Sequence, residues 1–152
     1  MKREVKMIDI TRKEDVYREA TAIGRIKVRP STLKKILEGS IEKGDVITIS
    51  KLAAIIAVKK TSEILPFCHP IPITGVNVEI YPTEDGLEVK VNVRTVAKTG
   101  VEMEALTGVM IGLLNIWDMI KKYEKDEKGQ YPHTEIYGIR VISKIKGEVD
   151  DK

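Results

Sequence analysis

The chain has 152 residues, with 26 Lys and Arg against 23 Asp and Glu, so its formal net charge is +3. A hydrophobic fraction of 42% supplies a core for one domain spanning residues 1–152 and excludes a disordered tail, a collagen-like fibre and a disulfide miniprotein. So small a net charge is a weak argument for nucleic-acid binding. One cysteine and two histidines are too few for a Cys/His zinc site, and a single cysteine forms no internal disulfide.

The sequence shows no signal peptide and no membrane span. Basic residues occur in positions 1–6, but no apolar stretch follows them. The longest apolar stretch, residues 109–120, is interrupted by glycine and polar residues and is shorter than a bilayer-spanning helix. We therefore expect a cytoplasmic protein with no membrane partner.

The first half of the chain predicts one strand and two helices. Residues 1–15 are charged and weakly patterned, which is typical of a mobile arm or a short edge strand. Residues 21–28 alternate loosely and predict a strand. Ser31 is the expected N-cap of a short helix that ends at Gly39. Residues 45–65 place apolar side chains at three- and four-residue intervals, which predicts a longer helix.

The middle of the chain predicts a loop and a hairpin. Prolines crowd residues 66–72 and forbid a regular helix there. Residues 75–81 and 87–93 alternate apolar and polar side chains. Because the five residues between them end in Asp-Gly, a β-hairpin is expected.

The last third predicts a long helix over residues 101–122, a surface loop over 121–133 and a final strand over 137–145. With right-handed crossovers, this order of elements gives an α+β fold, a ferredoxin-like antiparallel sheet covered by helices on one face. The other sheet face needs a cover, and a second copy of the chain is its simplest source.

Two short clusters in the first half of the chain are candidates for chemistry. Lys43 precedes a Gly-Asp turn into a helix, which suits a phosphate. An ordinary glycine turn with Asp45 as N-cap explains the same residues. Cys68 and His69 are adjacent and point to opposite sides of an extended chain, so they do not pair with each other. Cys68 is expected to be a small buried residue, whereas His69 is a candidate general acid or base or a structural histidine.

Two further clusters lie on the long helix. Glu102 and Glu104 are two residues apart, so on a regular helix they do not share a face. They are either acids favourably placed at a helix N-terminus or a pair that meets where the first turn is unwound. Asp118 and Lys121 face each other at i, i+3, as an acid–base pair or as a surface ion pair.

The helix length sets a constraint on any shared site. Glu104 and Asp118 are fourteen residues apart, or about 21 Å along one straight helix. If both are catalytic, the site holds a long ligand or is completed by another subunit. Gly108 and Gly112 allow close approach of another backbone, either at a helix-packing interface or against the sheet.

Taken in order, these clusters resemble one family, the cyclic pyranopterin monophosphate synthases of molybdenum-cofactor biosynthesis. The matching stretches are KGDV from Lys43, AVKKTSEILPFCHPIP up to residue 72, KTGVEMEALT from Lys98, and IWDMIKK up to residue 122. Two features depart from the family pattern: Trp117, where Tyr is common, and a longer charged loop over residues 123–136 that obscures the alignment of Lys144.

The resemblance implies an enzyme that converts 3′,8-cyclo-7,8-dihydroguanosine 5′-triphosphate to cyclic pyranopterin monophosphate with release of diphosphate. It also implies a homo-oligomer, a homohexamer assembled through dimer contacts, with sites at subunit interfaces. Catalytic residues carried over by position are Asp118, Lys121, His69, Lys43, Glu102 and Glu104. Substrate-binding residues are Phe67, Cys68, His69, Met103, Glu104 and Lys144.

The residue types suit that chemistry. Lysines supply cations for a triphosphate, and the ring-opening and ring-closing steps need acids and bases with separated pKa values. We expect Asp118 and Lys121 to form the central acid–base pair, and His69 to act with Glu102 or Glu104 on the base and ribose. Lys43 and Lys144 are expected to hold phosphates. No cofactor and no protein metal site is expected, although Mg²⁺ can accompany the triphosphate.

The residues alone do not decide whether four other cations bind phosphate: Arg18, Arg29, Lys59 and Lys60.

Two other functions of the protein also stay open from the residues alone. A ferredoxin-like sheet can bind RNA, but that mode needs exposed aromatics on central strands, and the predicted strands offer only Tyr81 and Tyr137 near their ends. A non-catalytic oligomeric regulator could bind a nucleotide in the same cleft.

Overall fold

A computed structural model describes residues 3–147 of the chain. The elements in chain order are β1 (Val16–Lys27), α1 (Pro30–Glu38), α2 (Val46–Ile64), β2 (Gly75–Pro82), β3 (Gly86–Ala97), α3 (Glu102–Glu124) and β4 (Glu135–Gly147). The strands form one sheet in the order β2-β3-β1-β4, and every neighbouring pair is antiparallel. This arrangement confirms the predicted α+β class and its ferredoxin-like order.

The core lies between the sheet and the two long helices. Alternate residues of β3, such as Val89 and Val91, are fully buried beneath α3 side chains that include Leu113 and Ile116. The helix α3 is long and apolar enough to cross a membrane on length and composition, and among the described residues no other helix is. The buried face of α3 packs on the sheet and on α2. A core helix that is mostly buried meets the same criteria of length and composition as a membrane span, so these criteria alone do not make α3 a membrane span.

The two small residues of α3 belong to this internal packing. A Cβ on Gly108 would lie 2.8 Å from Val58 Cγ2 of α2. A Cβ on Gly112 would lie 3.3 Å from Val89 of β3. Both expected contacts are therefore observed, because the two glycines lie against the neighbouring helix α2 and against the sheet of the same subunit.

Several predicted boundaries are confirmed. Gly39 ends α1 with φ of 74°, a left-handed conformation that glycine adopts without a Cβ clash. Asp45 caps α2, since its carboxylate accepts the backbone N–H of Thr48 at 3.1 Å. The hairpin forms between β2 and β3, and α3 runs two residues past its predicted end at Lys122.

The prediction of Ser31 as the N-cap of α1 is wrong. Arg29 occupies the cap position and Pro30 is the first helical residue. Proline suits this place because its fixed φ is helical and its missing N–H is not needed in the first turn. No side chain caps the helix, and the backbone N–H of Arg29 donates to a distant residue, Glu124, a contact that the local sequence does not reveal.

The start of the first strand also differs from the prediction. β1 begins at Val16 instead of residue 21, because its early polar residues find partners. Arg18 is buried beside the end of β3 and donates to the carbonyl oxygens of Ala97 at 3.1 Å and Lys98 at 3.2 Å. Residues 3–15 form no strand, so the edge-strand alternative for this segment is wrong, and Met1 and Lys2 lie outside the described residues.

The sheet face away from the helices is polar at its centre. On its central strands, Asn92 donates to Glu19 at 2.8 Å and to Thr21 at 2.9 Å, and Arg25 pairs with Glu88 at 3.0 Å. A second copy over this face therefore stays a prediction. Exposed apolar side chains occur at the ends of this face, where Val96 and Ile145 are exposed, and on the helical layer, among them Leu52 of α2 and Leu114 of α3.

Glu124 is the fully buried acid that holds the end of α3 against α1 and β4. Its carboxylate accepts the backbone N–H of Arg29 at 3.1 Å and the hydroxyls of Thr32 and of Thr134, the latter at 2.8 Å. Arg29 also donates to the Glu124 carbonyl oxygen at 3.4 Å. One side chain thus accepts from three residues, two at the start of α1 and one just before β4.

Replacing Glu124 tests that account of the fold. We expect Glu124→Ala to lower the free energy of unfolding by about 3–5 kcal/mol, because it leaves several buried donors without an acceptor. Glu124→Gln, which keeps the shape and one acceptor, should cost about half as much. Urea denaturation measures both, with the exposed Glu63→Gln as control. A loss below about 1 kcal/mol in Glu124→Ala would contradict the proposed role.

Candidate functional site

At the C-terminal end of α3, two lysines converge on one carboxylate. Lys43 Nζ lies 3.2 Å from Asp118 Oδ2 and 2.9 Å from the Asp118 carbonyl oxygen. Lys121 Nζ lies 3.1 Å from Asp118 Oδ1. We call Lys43, Asp118 and Lys121 the Lys43 cluster. It borders a cavity of 240 Å³, a suitable size for part of a small anionic ligand.

The turn between α1 and α2 positions Lys43. Gly44 adopts φ of 117°, which only glycine adopts readily, and Asp45 then starts α2. The same turn is tied to α3, because the backbone N–H of Glu42 donates to the Tyr123 hydroxyl at 2.8 Å and Glu42 pairs with Lys122. The segment carrying Lys43 is therefore fixed to the helix that carries Asp118.

Electrostatics keep Asp118 ionised. The hydrogen bonds from Lys121 and then Lys43 lower the pKa of this carboxyl below its usual value. Each carboxylate oxygen already accepts from an ammonium group. In the free protein, Asp118 is thus a carboxylate anion that is hydrogen-bonded to two lysine side chains.

A second group of site candidates lies at the N-terminal end of α3. A cavity of 410 Å³ is lined there by Leu65, Pro66, Phe67, Cys68, His69, Thr99, Gly100, Glu102 and Met103. We call it the His69 cavity. Its walls come from the proline-rich connector after α2 and from the loop that joins β3 to α3.

The two glutamates of this end face different neighbours. Glu102 is the first residue of α3, lines the His69 cavity and pairs with Lys144 of β4 at 3.2 Å. Glu104 is 3% exposed and lies 3.7 Å from the Cys68 thiol. Both residues are helical, so the alternative of an unwound first turn is wrong. Lys144 therefore lies with Glu102 and does not join Lys43 in this subunit.

Burial controls the ionisation of Glu104 and Cys68. Loss of hydration raises the pKa of the Glu104 carboxyl, and the nearby charge of Glu102 acts in the same direction. Burial, followed by the Glu104 carboxylate, raises the pKa of the Cys68 thiol to about 11. Cys68 thus stays a thiol at neutral pH and is a poor nucleophile. The expected separation of Cys68 from His69 is confirmed, because the two side chains contact different partners.

The raised pKa of Glu104 predicts a pH-dependent stability. A carboxyl with a raised folded-state pKa keeps its full stability at low pH and loses it as the pH rises from 4.5 through the folded value. At pH 8, Glu104→Gln should therefore be more stable than wild type by about 0.5–2 kcal/mol. The gain should vanish near pH 4, where both side chains are neutral. Thermal unfolding across this range measures it, and a gain independent of pH would contradict the assignment.

The two groups of candidates lie at opposite ends of α3. The Lys43 cluster and the His69 cavity share no lining residue. Fourteen residues separate Glu104 from Asp118, which corresponds to about 21 Å along the helix. This geometry confirms that one small pocket of a single subunit does not contain both.

Comparison with known proteins places these motifs in one family. Residues 7–147 match the model of the MoaC family. The matched range includes both ends of α3 and every candidate residue named above. The chain belongs to the MoaC family.

Several curated relatives of this MoaC chain are similar over nearly their full length. A protein of Pyrococcus furiosus is 58% identical over 144 residues, covering 95% of this chain and 92% of the relative. One of Sulfolobus acidocaldarius is 61% identical over 140 residues, covering 92% of this chain and 98% of the relative. One of Sulfurisphaera tokodaii is 57% identical over 149 residues, covering 98% and 99%. Each is named "Probable cyclic pyranopterin monophosphate synthase".

In this MoaC chain, most of the cations left open by the sequence have structural partners. Arg18 holds the carbonyl oxygens at the end of β3. Arg29 donates to Glu124, and Lys60 lies 3.9 Å from Glu63. Within residues 3–147, no group of three His, Cys, Asp or Glu side chains is arranged to hold a metal ion.

Sequence reasoning missed the contacts that residues 7–13 make with the His69 cavity. His69 Nε2 lies 2.6 Å from the carbonyl oxygen of Ile8, and Lys98 Nζ lies 2.8 Å from that of Lys13. Because both acceptors are backbone atoms in a segment without regular structure, no residue pattern signals them. The only available signal was Lys98 itself, the first residue of a motif from which Thr99 and Glu102 line the cavity.

Proposed function

We propose that this MoaC chain is a cyclic pyranopterin monophosphate synthase of molybdenum-cofactor biosynthesis. It converts 3′,8-cyclo-7,8-dihydroguanosine 5′-triphosphate to cyclic pyranopterin monophosphate and releases diphosphate. The observation that carries the proposal is the family match over residues 7–147, together with relatives of that printed name at 56–61% identity. The lyase chemistry requires cations and proton-transfer groups, and both ends of α3 offer them.

The Lys43 cluster is the proposed centre for proton transfer. Asp118 is ionised and over half exposed, so it can accept a proton from the bound nucleotide. Lys121 is the proposed acid that returns a proton, and Lys43 neutralises phosphate charge. Forming a cyclic phosphate with expulsion of diphosphate concentrates negative charge, and neighbouring ammonium groups stabilise that charge.

The His69 cavity is the proposed site for the base and ribose. His69 and Glu102 line it and supply a proton acceptor and an anion, while Phe67 and Met103 offer apolar surface. Glu104, behind the cavity wall beside Cys68, is proposed to join this site as a substrate-binding and proton-transfer group. Lys144, beside Glu102, is the proposed cation at this end.

Because the two ends of α3 lie about 21 Å apart, we propose that each active site combines the Lys43 cluster of one subunit with the His69 cavity of another. The assembly would be a homohexamer built from dimer contacts. Exposed apolar side chains on the helical layer, among them Leu52 and Leu114, offer surface for such contacts. The site would work without a protein-bound cofactor, with Mg²⁺ arriving on the triphosphate, and in the cytoplasm.

Incubation with three ligands tests the function. We expect wild-type protein to release diphosphate from the cyclised nucleotide and none from GTP. Competition by GTP without any turnover of the cyclised nucleotide would favour a nucleotide-binding regulator instead. Salt-sensitive retention of RNA, again without turnover, would favour an RNA-binding module. Either of these two results would overturn the proposed activity.

A further inference from the structure

Residues 7–13, which we call the N-terminal strap, lie across His69. The carbonyl oxygen of Ile8 is 2.6 Å from His69 Nε2. A carbonyl oxygen only accepts hydrogen bonds, so Nε2 carries a proton, and in the neutral form of the ring Nδ1 is then the acceptor nitrogen. The strap, His69 and Lys98 together line an open pocket of 470 Å³, and His69 also lines the His69 cavity.

Lys98 fastens the far end of the strap. Its Nζ donates to the carbonyl oxygens of Lys13 at 2.8 Å and of Thr11 at 3.4 Å. The backbone of Lys98 is itself fixed, because the buried Arg18 donates to its carbonyl oxygen at 3.2 Å. Lys98 therefore links the rigid end of β3 to the strap.

A local turn transmits this anchor to Ile8. Asp9 Oδ1 accepts the backbone N–H of Thr11 at 2.8 Å and also the Thr11 hydroxyl. This Asx-type turn fixes the chain between the residues that Lys98 holds and the carbonyl that His69 contacts. Neither the lysine nor the turn touches the His69 ring through a hydrogen bond of its own.

We propose that Lys98 is a positioning residue for His69, acting through the N-terminal strap. By holding the backbone at residues 11 and 13, Lys98 keeps the Ile8 carbonyl oxygen hydrogen-bonded to His69 Nε2. This bond fixes the orientation of the ring and leaves Nδ1 free to accept a proton. The kinetic part rests on the proposed function, in which His69 takes part in proton transfer. The charged and titratable groups around the ring are Asp9 of the strap, Lys98 after β3, and Cys68 and Glu102 of the His69 cavity.

Nuclear magnetic resonance of histidine-labelled protein tests the positioning without substrate. The chain has two histidines, and His133 lies beside Arg29 and Pro30 at a separate cavity, so it serves as an internal reference. In wild type at pH 8 we expect a slowly exchanging Nε2 proton on His69. In Lys98→Met its exchange with water should be at least about tenfold faster, because the strap opens. Lys34→Met, an exposed lysine on α1, is the matched control and should leave it unchanged.

Kinetics give the second readout. We expect Lys98→Met to lower kcat by about 10- to 100-fold with KM within about twofold, as for a misoriented catalytic group. Lys98→Arg should restore kcat to within about threefold, because its guanidinium also donates to two carbonyls. Thr11→Val, which removes one bond of the turn, should speed exchange in the same direction by a smaller factor.

Two results would overturn the proposal. One is unchanged Nε2 exchange in both Lys98→Met and Thr11→Val. The other is a raised KM at unchanged kcat in Lys98→Met, which would make Lys98 a substrate ligand. If wild type released no diphosphate, the proposed function would fail, whereas the exchange measurement would still decide whether Lys98 positions His69.

Discussion

Asp118→Asn should lower kcat for diphosphate release by about 10³-fold, because the amide cannot accept the proton that the ionised carboxylate takes. It also removes the partner that holds Lys43 and Lys121 together. The fold should not change, since the side chain is 56% exposed and forms no part of the core. Steady-state kinetics measure the loss, and thermal unfolding checks the fold.

Glu38→Gln is the matched control for Asp118→Asn. Glu38 has the same side-chain exposure of 56% and also pairs with a lysine on its own helix, Lys34 at 3.8 Å. It should keep wild-type turnover. A fall in kcat of less than about tenfold in Asp118→Asn would remove this residue from the centre of the mechanism.

Mixing two inactive variants should restore activity. In a subunit pair formed from Asp118→Asn and His69→Gln chains, one shared site contains both substitutions and the other contains neither. At random one-to-one mixing, half of the pairs are mixed, so activity should return to about one quarter of the wild-type value. Co-expression of the two chains followed by assay of the purified mixture measures this recovery.

The control for the mixing experiment uses two variants at the same end of α3. Asp118→Asn with Lys121→Met should stay inactive at every ratio, because the same subunit supplies both residues to each site. If the first pair also stayed inactive while forming mixed oligomers, each subunit would hold a complete site. The proposed division between the Lys43 cluster and the His69 cavity would then be wrong.

Local patterns predicted the elements whose causes are local. Gly39 ends a helix because its backbone takes a left-handed conformation, and Asp45 caps the next helix with its own side chain. The hairpin around its Asp-Gly turn follows from alternation on both sides. Ser31 failed as a cap because the helix begins before it, at Pro30, and the cap residue Arg29 is held by Glu124, 95 residues away.

The separation of the candidate residues along α3 was predictable from the sequence, whereas their roles stay predictions. Helical geometry alone placed Glu104 and Asp118 too far apart for one pocket. The sequence could not show partners that are set by tertiary packing, such as the ion pair of Lys144 with Glu102 and that of Lys43 with Asp118. The strap over His69 was unpredictable for the same reason, because its bonds run through backbone carbonyls.

The most direct test of the proposed activity is a mass balance on a single substrate. Wild-type protein is incubated with a known amount of the cyclised nucleotide, and diphosphate and the pterin product are counted separately. We expect one diphosphate for each cyclic monophosphate formed, in equal amounts until the substrate is exhausted. Binding of the nucleotide with neither product, or diphosphate without the cyclic monophosphate, would contradict the assignment.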